Sequence, residues 1–144
     1  MFNFRLFSEY TNLARLGVAS QSDTLDDFSA DKTIDGDTTT FANTATGGPT
    51  VWWKVVLPSR SFINNIQIYN RHNCCQDRIE GVTVWVDEEQ VGTVVYESGK
   101  ISYSFNDLSR FGEKVTVKGG GSVLNLAEVE VYGMQIGPEI DIGE

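Results

Sequence analysis

The chain is short of the side chains that most enzymes rely on. It has one histidine, His72, and two cysteines, Cys74 and Cys75. A Ser–His–Asp or Cys–His arrangement would have to be built on His72, and no G-x-S-x-G elbow accompanies it. Gly119–Gly121 lies between two strand patterns rather than ahead of a helix, so it is not a phosphate loop. A glycosidase needs two placed carboxylates, and the stretch around the cysteines offers only Asp77. The chain is therefore not read as an enzyme. Basic residues are also few: 11 Lys and Arg stand against 20 Asp and Glu, a net charge of −9. That balance argues against nucleic acid and anionic membrane surfaces as partners. No run approaches the ~18 apolar residues of a membrane span, which argues against direct membrane insertion.

Two further absences bound the architecture. No segment carries a long amphipathic helix, and there is no internal repeat. The opening M-F-N-F-R-L-F-S-E-Y lacks a basic leader, a long apolar core and a small-residue cleavage site, so it is not read as a signal peptide. Phe2, Phe4 and Leu6 alternate there with polar residues, as in an edge strand or linker. The 144 residues fit one domain with a single core.

What is present is a period of two. Val82, Val84 and Val86 alternate with Thr83 and Trp85. Val115 and Val117 alternate with Thr116 and Lys118, Ala127, Val129 and Val131 with Glu128 and Glu130, and Ile66 and Ile68 with Gln67 and Tyr69. Each pattern predicts a strand with one face in the core. V-W-W-K-V-V-L, 51–57, is almost wholly apolar and predicts a central strand. Residues 91–97 and 101–105 predict two more strands, joined at Ser98–Gly99. Asp87-Glu88-Glu89-Gln90 and Gly119–Gly121 mark further turns. Residues 20–50 are polar and loop-rich, a length of loop that commonly carries function. Many short strands with regular turns predict an all-β, antiparallel β-sandwich of jelly-roll type.

The unusual stretch is N-R-H-N-C-C-Q-D-R, 70–78, with adjacent cysteines between Arg71 and Arg78. Adjacent Cα atoms lie ~3.8 Å apart across a trans peptide, whereas an ordinary disulfide wants ~4.4–6.8 Å. A Cys74–Cys75 bond would close no loop of consequence, so it is a poor staple. Its use would be local, as a flat apolar sulfur surface. Each arginine beside it offers up to about five donors in a planar fork. Donors beside a small apolar plate suit a sugar, whose hydroxyls accept while a C–H face packs on sulfur. Two other readings stand beside this one. The thiols could be reduced and buried, or His72, Cys74 and Cys75 could ligate a metal, although His72 and Cys74 share a strand face that Cys75 does not.

R-x-N-C-C-x-x-R (Arg71, Asn73, Cys74, Cys75, Arg78) resembles the signature of the F-type lectins, a fucose-binding family with a discoidin-like jelly-roll fold. The resemblance continues in four more blocks. These are N-L-A-R-L-G-V-A-S-Q-S from Asn12, T-I-D-G-D from Thr33, W-W-K-V-V-L from Trp52 and L-N-L-A-E-V-E-V-Y-G from Leu124. Together they span residues 12–133, leaving 1–11 as an N-terminal extension or edge strand and 134–144 as an acidic tail. The resemblance implies that Arg71 and Arg78 donate to a fucose-like sugar and that Cys74–Cys75 packs on its apolar edge. Asn73 then stands where the family has an Asp that steadies the arginines, and Leu25 and Phe41 rim the pocket. It also implies a structural Ca²⁺, with side-chain oxygens from Asp35, Asp37 and Glu128 and carbonyls from Lys32, Thr44 and Ala127. Hard oxygen ligands of this kind suit calcium. Taken alone, D-G-D is an ordinary turn sequence.

The match departs from the family in two places. The histidine it keeps ahead of the tryptophan pair is missing from F-A-N-T-A-T-G-G-P-T-V, 41–51, where Thr44 or Thr46 is the available stand-in. At position 73 Asn replaces Asp, which leaves Asp77 to compensate the arginines. Some members also join the calcium loop to the closing strand by a disulfide; here position 127 is alanine and 41–51 contains no cysteine. The function expected is a lectin module for fucosylated or related glycans. The alternative is the same fold with a degraded sugar site, serving as a structural or protein-interaction domain. An oxidised cysteine pair implies an extracellular setting or the surface of a particle. A single weak sugar site is commonly reinforced by multivalency, so a homo-oligomer such as a trimer, or a place in a larger assembly, is expected.

Overall fold

The computed structural model describes residues 10–136. It contains nine strands: β1 (Thr11–Asn12), β2 (Val18–Gln21), β3 (Ala42–Gly47), β4 (Trp52–Asn70), β5 (Thr83–Val86), β6 (Glu89–Thr93), β7 (Ser102–Phe105), β8 (Arg110–Lys118) and β9 (Val123–Gln135). Every pairing is antiparallel. The helical pieces among the described residues are three four-residue 3-10 turns, Leu13–Leu16, Ala30–Thr33 and Gln76–Ile79.

The strand expected at 51–57 and the pattern around Ile66 and Ile68 are one 19-residue strand, β4. Its first half pairs with β2 and β8, β8 pairs with it again at Ser61–Ile63, and its second half pairs with β7 and β9. The register with β8 shifts between Val56 and Ser61, a corner in the strand that holds Pro58–Arg60. Proline lacks the N–H that a central ladder needs, so it sits at this corner. The first half is not apolar on both faces: Trp53, Val55 and Leu57 are buried, whereas Val56 is exposed. Residues 94–97 also differ from expectation, because β6 ends at Thr93 and a turn leads through Gly99 to β7. The expected alternation of residues 2–6 lies outside the described residues. At the other end β9 continues past Gly133, pairing Met134 with Phe62 and Gln135 with Ser61.

The inward faces of both layers form one core, including Trp53, Val55, Ile66, Ile68, Val84, Val115, Val117, Val129 and Val131. Each such side chain contributes about 1.5–3 kcal/mol on burial. The three ion pairs among the described residues, Lys100–Glu97, Arg110–Glu89 and Lys114–Glu88, all have an exposed carboxylate and add at most about 1 kcal/mol each. Apolar packing therefore dominates the stability. Trp53 also anchors the long loop, donating its indole N–H to the carbonyl of Ala30 at 3.1 Å.

Candidate functional site

β4 ends at Asn70 and delivers Arg71 to the edge of the sandwich. The next residues form a tight knot. Cys74 and Cys75 are disulfide-bonded with their Cα atoms 3.8 Å apart, and Cys75 is held at φ 64°, a left-handed conformation. A non-glycine residue there costs on the order of 1–2 kcal/mol, so neighbours must hold it. Asn70 Nδ2 donates to the Gln76 carbonyl at 2.9 Å, Gln76 Nε2 to the His72 carbonyl at 2.9 Å, and the Arg78 N–H to the Cys75 carbonyl at 3.1 Å. The 3-10 turn Gln76–Ile79 then brings Arg78 back beside Arg71, with Ile79 buried beneath. With both sulfurs in the disulfide, the reduced-thiol and metal-ligand readings of the pair fall away. His72 is an exposed rim residue.

The two arginines meet on one acceptor. Arg71 Nη1 and Arg78 Nη1 donate to Asn125 Oδ1 at 3.3 and 3.1 Å, and Arg71 Nε donates to Asn73 Oδ1 at 2.6 Å. Asn125 is buried on β9, and its own Nδ2 donates to Asn43 Oδ1 on β3 at 2.8 Å. The Arg71 guanidinium lies 4.2 Å above the Phe41 ring, which stacks on Phe28 at 4.8 Å. Among the described residues no carboxylate pairs with either arginine. Asp77, the expected compensating charge, is exposed and reaches neither. Burial, and then the charge of Arg78, push the Arg71 pKa below its ordinary value.

Arg71, Arg78, Asn73, Phe41 and the disulfide thus come together. Leu25 is exposed on a loop fastened to β3 by its N–H to the Asn43 carbonyl. Thr46 faces elsewhere, its hydroxyl donating to Asp23 Oδ2 at 2.6 Å. That bond lowers the Asp23 pKa. From the stretch that lacks the family's histidine, the buried polar residue tied to the arginines is Asn43, through Asn125. Neither asparagine was among the expected site residues. Their signal was a polar amide inside a buried run, as in L-N-L-A at 124–127.

A second constellation lies in the loop 30–40 and on β9. The Gly36 N–H, at φ 81°, donates to Glu128 Oε2 at 2.9 Å. The Thr40 hydroxyl lies 2.6 Å from Asp35 Oδ2, 3.0 Å from the Asp37 carbonyl and 3.3 Å from the Lys32 carbonyl. Glu128 is buried, its Oε1 has no partner, and burial, with Asp35 nearby, pushes its pKa up to about 7. An orphaned buried carboxylate oxygen near other hard oxygens is a donor set that fits Ca²⁺. Among the described residues no three His, Cys, Asp or Glu side chains form a metal cluster. Backbone and hydroxyl oxygens would have to complete the set. Ala127 precedes Glu128 on β9. Asp37 Oδ1 accepts from the N–H and hydroxyl of Thr39, which lowers its pKa. The Thr44 hydroxyl is used between β3 and β9, donating to the Thr46 carbonyl and accepting from the Leu124 N–H. The threonine beside Asp35 and Lys32 is Thr40, which the sequence reading did not single out.

Comparison with known proteins agrees with this architecture. Residues 32–119 match the family model described as NedA-like, galactose-binding domain. Fucolectin-6 of Anguilla japonica is 36% identical over 83 residues, covering 51% of this chain and 45% of the relative. The fucolectin from Morone saxatilis (striped bass) serum superposes with a TM-score of 0.79 at 29% identity, over 88% of this chain and 50% of that one. The lectin domain of lectinolysin, complexed with Lewis B antigen, gives a TM-score of 0.73 at 25% identity, over 83% and 94%. The chain spans about half the length of the two fucolectins it matches. By the family match over residues 32–119 and by this shared fold, the chain belongs to the NedA-like galactose-binding domains, and its likeness to the F-type lectins holds.

Proposed function

We propose that this chain is a lectin module that binds a fucose-like sugar through Arg71, Arg78 and the Cys74–Cys75 disulfide, without catalysing a reaction on it. The observation that carries this reading is the convergence of two guanidiniums on Asn125 Oδ1 beside a sulfur plate. Each arginine keeps further N–H donors for a ligand, and the Phe41–Phe28 stack fixes Arg71 from one side. A donor array beside an apolar plate recognises vicinal hydroxyls and a ring C–H face together. The alternative of a degraded site fits less well, because the loss of histidine has left the arginines ordered and convergent. Calorimetry or a glycan array with fucosylated glycans tests the proposal. Binding should be weak, micromolar to millimolar for one site, and Arg71→Ala should remove it while leaving the melting temperature within a few degrees. Equal binding by wild type and Arg71→Ala would refute it.

A structural Ca²⁺ belongs to the same proposal. Asp35 and Glu128 would supply carboxylate oxygens, with Lys32, Asp37, Thr40 and Ala127 as neighbouring oxygen donors. The ion would tie the loop that carries Phe28 and Phe41 to β9, which carries Asn125. Its role would be to hold the sugar site in place. An extracellular setting and multivalent display follow from the oxidised pair and the single site.

A further inference from the structure

The arginines are held by amides alone. Their partners are Asn73 and Asn125, and Asn125 is backed by Asn43. Bringing two cations onto one neutral oxygen leaves their mutual repulsion uncompensated; it adds to burial, the larger cause, in lowering the Arg71 pKa. The surroundings do not compensate it either. Asp77 on the same knot and Asp26 and Asp27 on the facing loop are exposed, and none pairs with a guanidinium. A chain of net charge −9 has thus kept this pair of guanidiniums free of carboxylate partners among the described residues. Asn73 supplies Arg71 with an acceptor and no charge.

We infer that the natural ligand carries the missing negative charge: an acidic glycan whose sulfate or carboxylate lies against Arg71 and Arg78 while the sugar ring packs on Cys74–Cys75. Guanidinium forks match carboxylate and sulfate oxygens in paired bonds, and an acceptor of opposite charge adds a Coulomb attraction that a neutral hydroxyl cannot supply. The inference rests on the lectin reading of this site and specifies its substrate class. It places Asn73 and Asn125 as residues that set specificity by being uncharged.

The test is calorimetry on the full chain with four probes: a methyl fucoside, a sulfated methyl fucoside, a methyl sialoside and inorganic sulfate. At about 50 mM salt an acidic sugar should bind on the order of tenfold to a hundredfold more tightly than the neutral fucoside. The advantage should shrink at about 500 mM salt, where the Debye length is only a few ångströms. Asn73→Asp should lower the ratio of acidic to neutral affinity by supplying the counter-charge from within. If the neutral fucoside binds as well as both acidic sugars, the inference fails and the lectin reading survives. If inorganic sulfate matches the sulfated fucoside, the notch is a bare anion site and the inference fails. If no sugar binds, both fall. The wild-type comparison decides the matter even if Asn73→Asp does not fold.

Discussion

Glu128→Gln isolates the cost of one buried carboxylate. The carboxylate is buried, one oxygen bonds the Gly36 N–H and the other has no partner. Its pKa rises from 4.5 to about 7. A carboxylate whose folded pKa is raised binds more protons folded than unfolded between those two values. Stability in metal-free buffer must therefore fall as pH rises through that window, and the penalty is complete above it. At 1.36 kcal/mol per unit the penalty is about 3 kcal/mol, or roughly 10 °C in melting temperature for a domain of this size. Thermal melts in chelator at pH 4.5 and pH 8 should show the wild type losing this amount relative to Glu128→Gln, whose amide does not titrate. Adding calcium at pH 8 should restore the wild type by mass action and do much less for the variant. If wild type and variant keep parallel pH profiles in chelator, to within about 1 kcal/mol, the carboxylate is not buried and uncompensated, and the argument for an ion beside it loses its basis.

Four further outcomes are expected. Thr40→Val, which removes the hydroxyl nearest Asp35 and Lys32, should reduce the calcium-induced rise in melting temperature, read by the same melts. Asn125→Leu should cut sugar affinity at least tenfold, measured by calorimetry, because two charge-assisted bonds of about 1.5–3 kcal/mol each lose their acceptor. Mild reduction or Cys74→Ser should weaken sugar binding with little change in the chelator melt, because the disulfide closes almost no loop; mass after alkylation confirms the redox state. Trp53→Phe should lower the melting temperature and loosen residues 30–40, seen as faster hydrogen exchange, because the Ala30 carbonyl loses its tie to β4 and keeps only the local Thr33 hydroxyl as donor.

The all-β fold was legible because alternating runs such as 82–86 and 115–117 write one buried face directly into the sequence. The layer change was not. Nothing in W-W-K-V-V-L-P-S-R announces that the strand resumes after the corner, since a proline reads locally as a stop. The arginines and cysteines stood out through their rarity and adjacency. Asn43 and Asn125 did not, because an asparagine becomes informative only when the fold buries it opposite a charge. At the calcium site Thr44 was expected only for its carbonyl; that the Thr40 hydroxyl lies against Asp35 was not legible, since it depends on where the loop closes. Glu128 was expected on a polar strand face. The loop 30–40 covers that face, which turns a surface carboxylate into an interior one.

Because a single 19-residue strand is hydrogen-bonded into both layers, the two halves of the sandwich cannot melt independently. The arginine knot grows directly from the end of that shared strand. Amides along its whole length should exchange with one common protection factor, and a ligand gripping the knot should slow exchange at the far corner, beyond any side chain it touches.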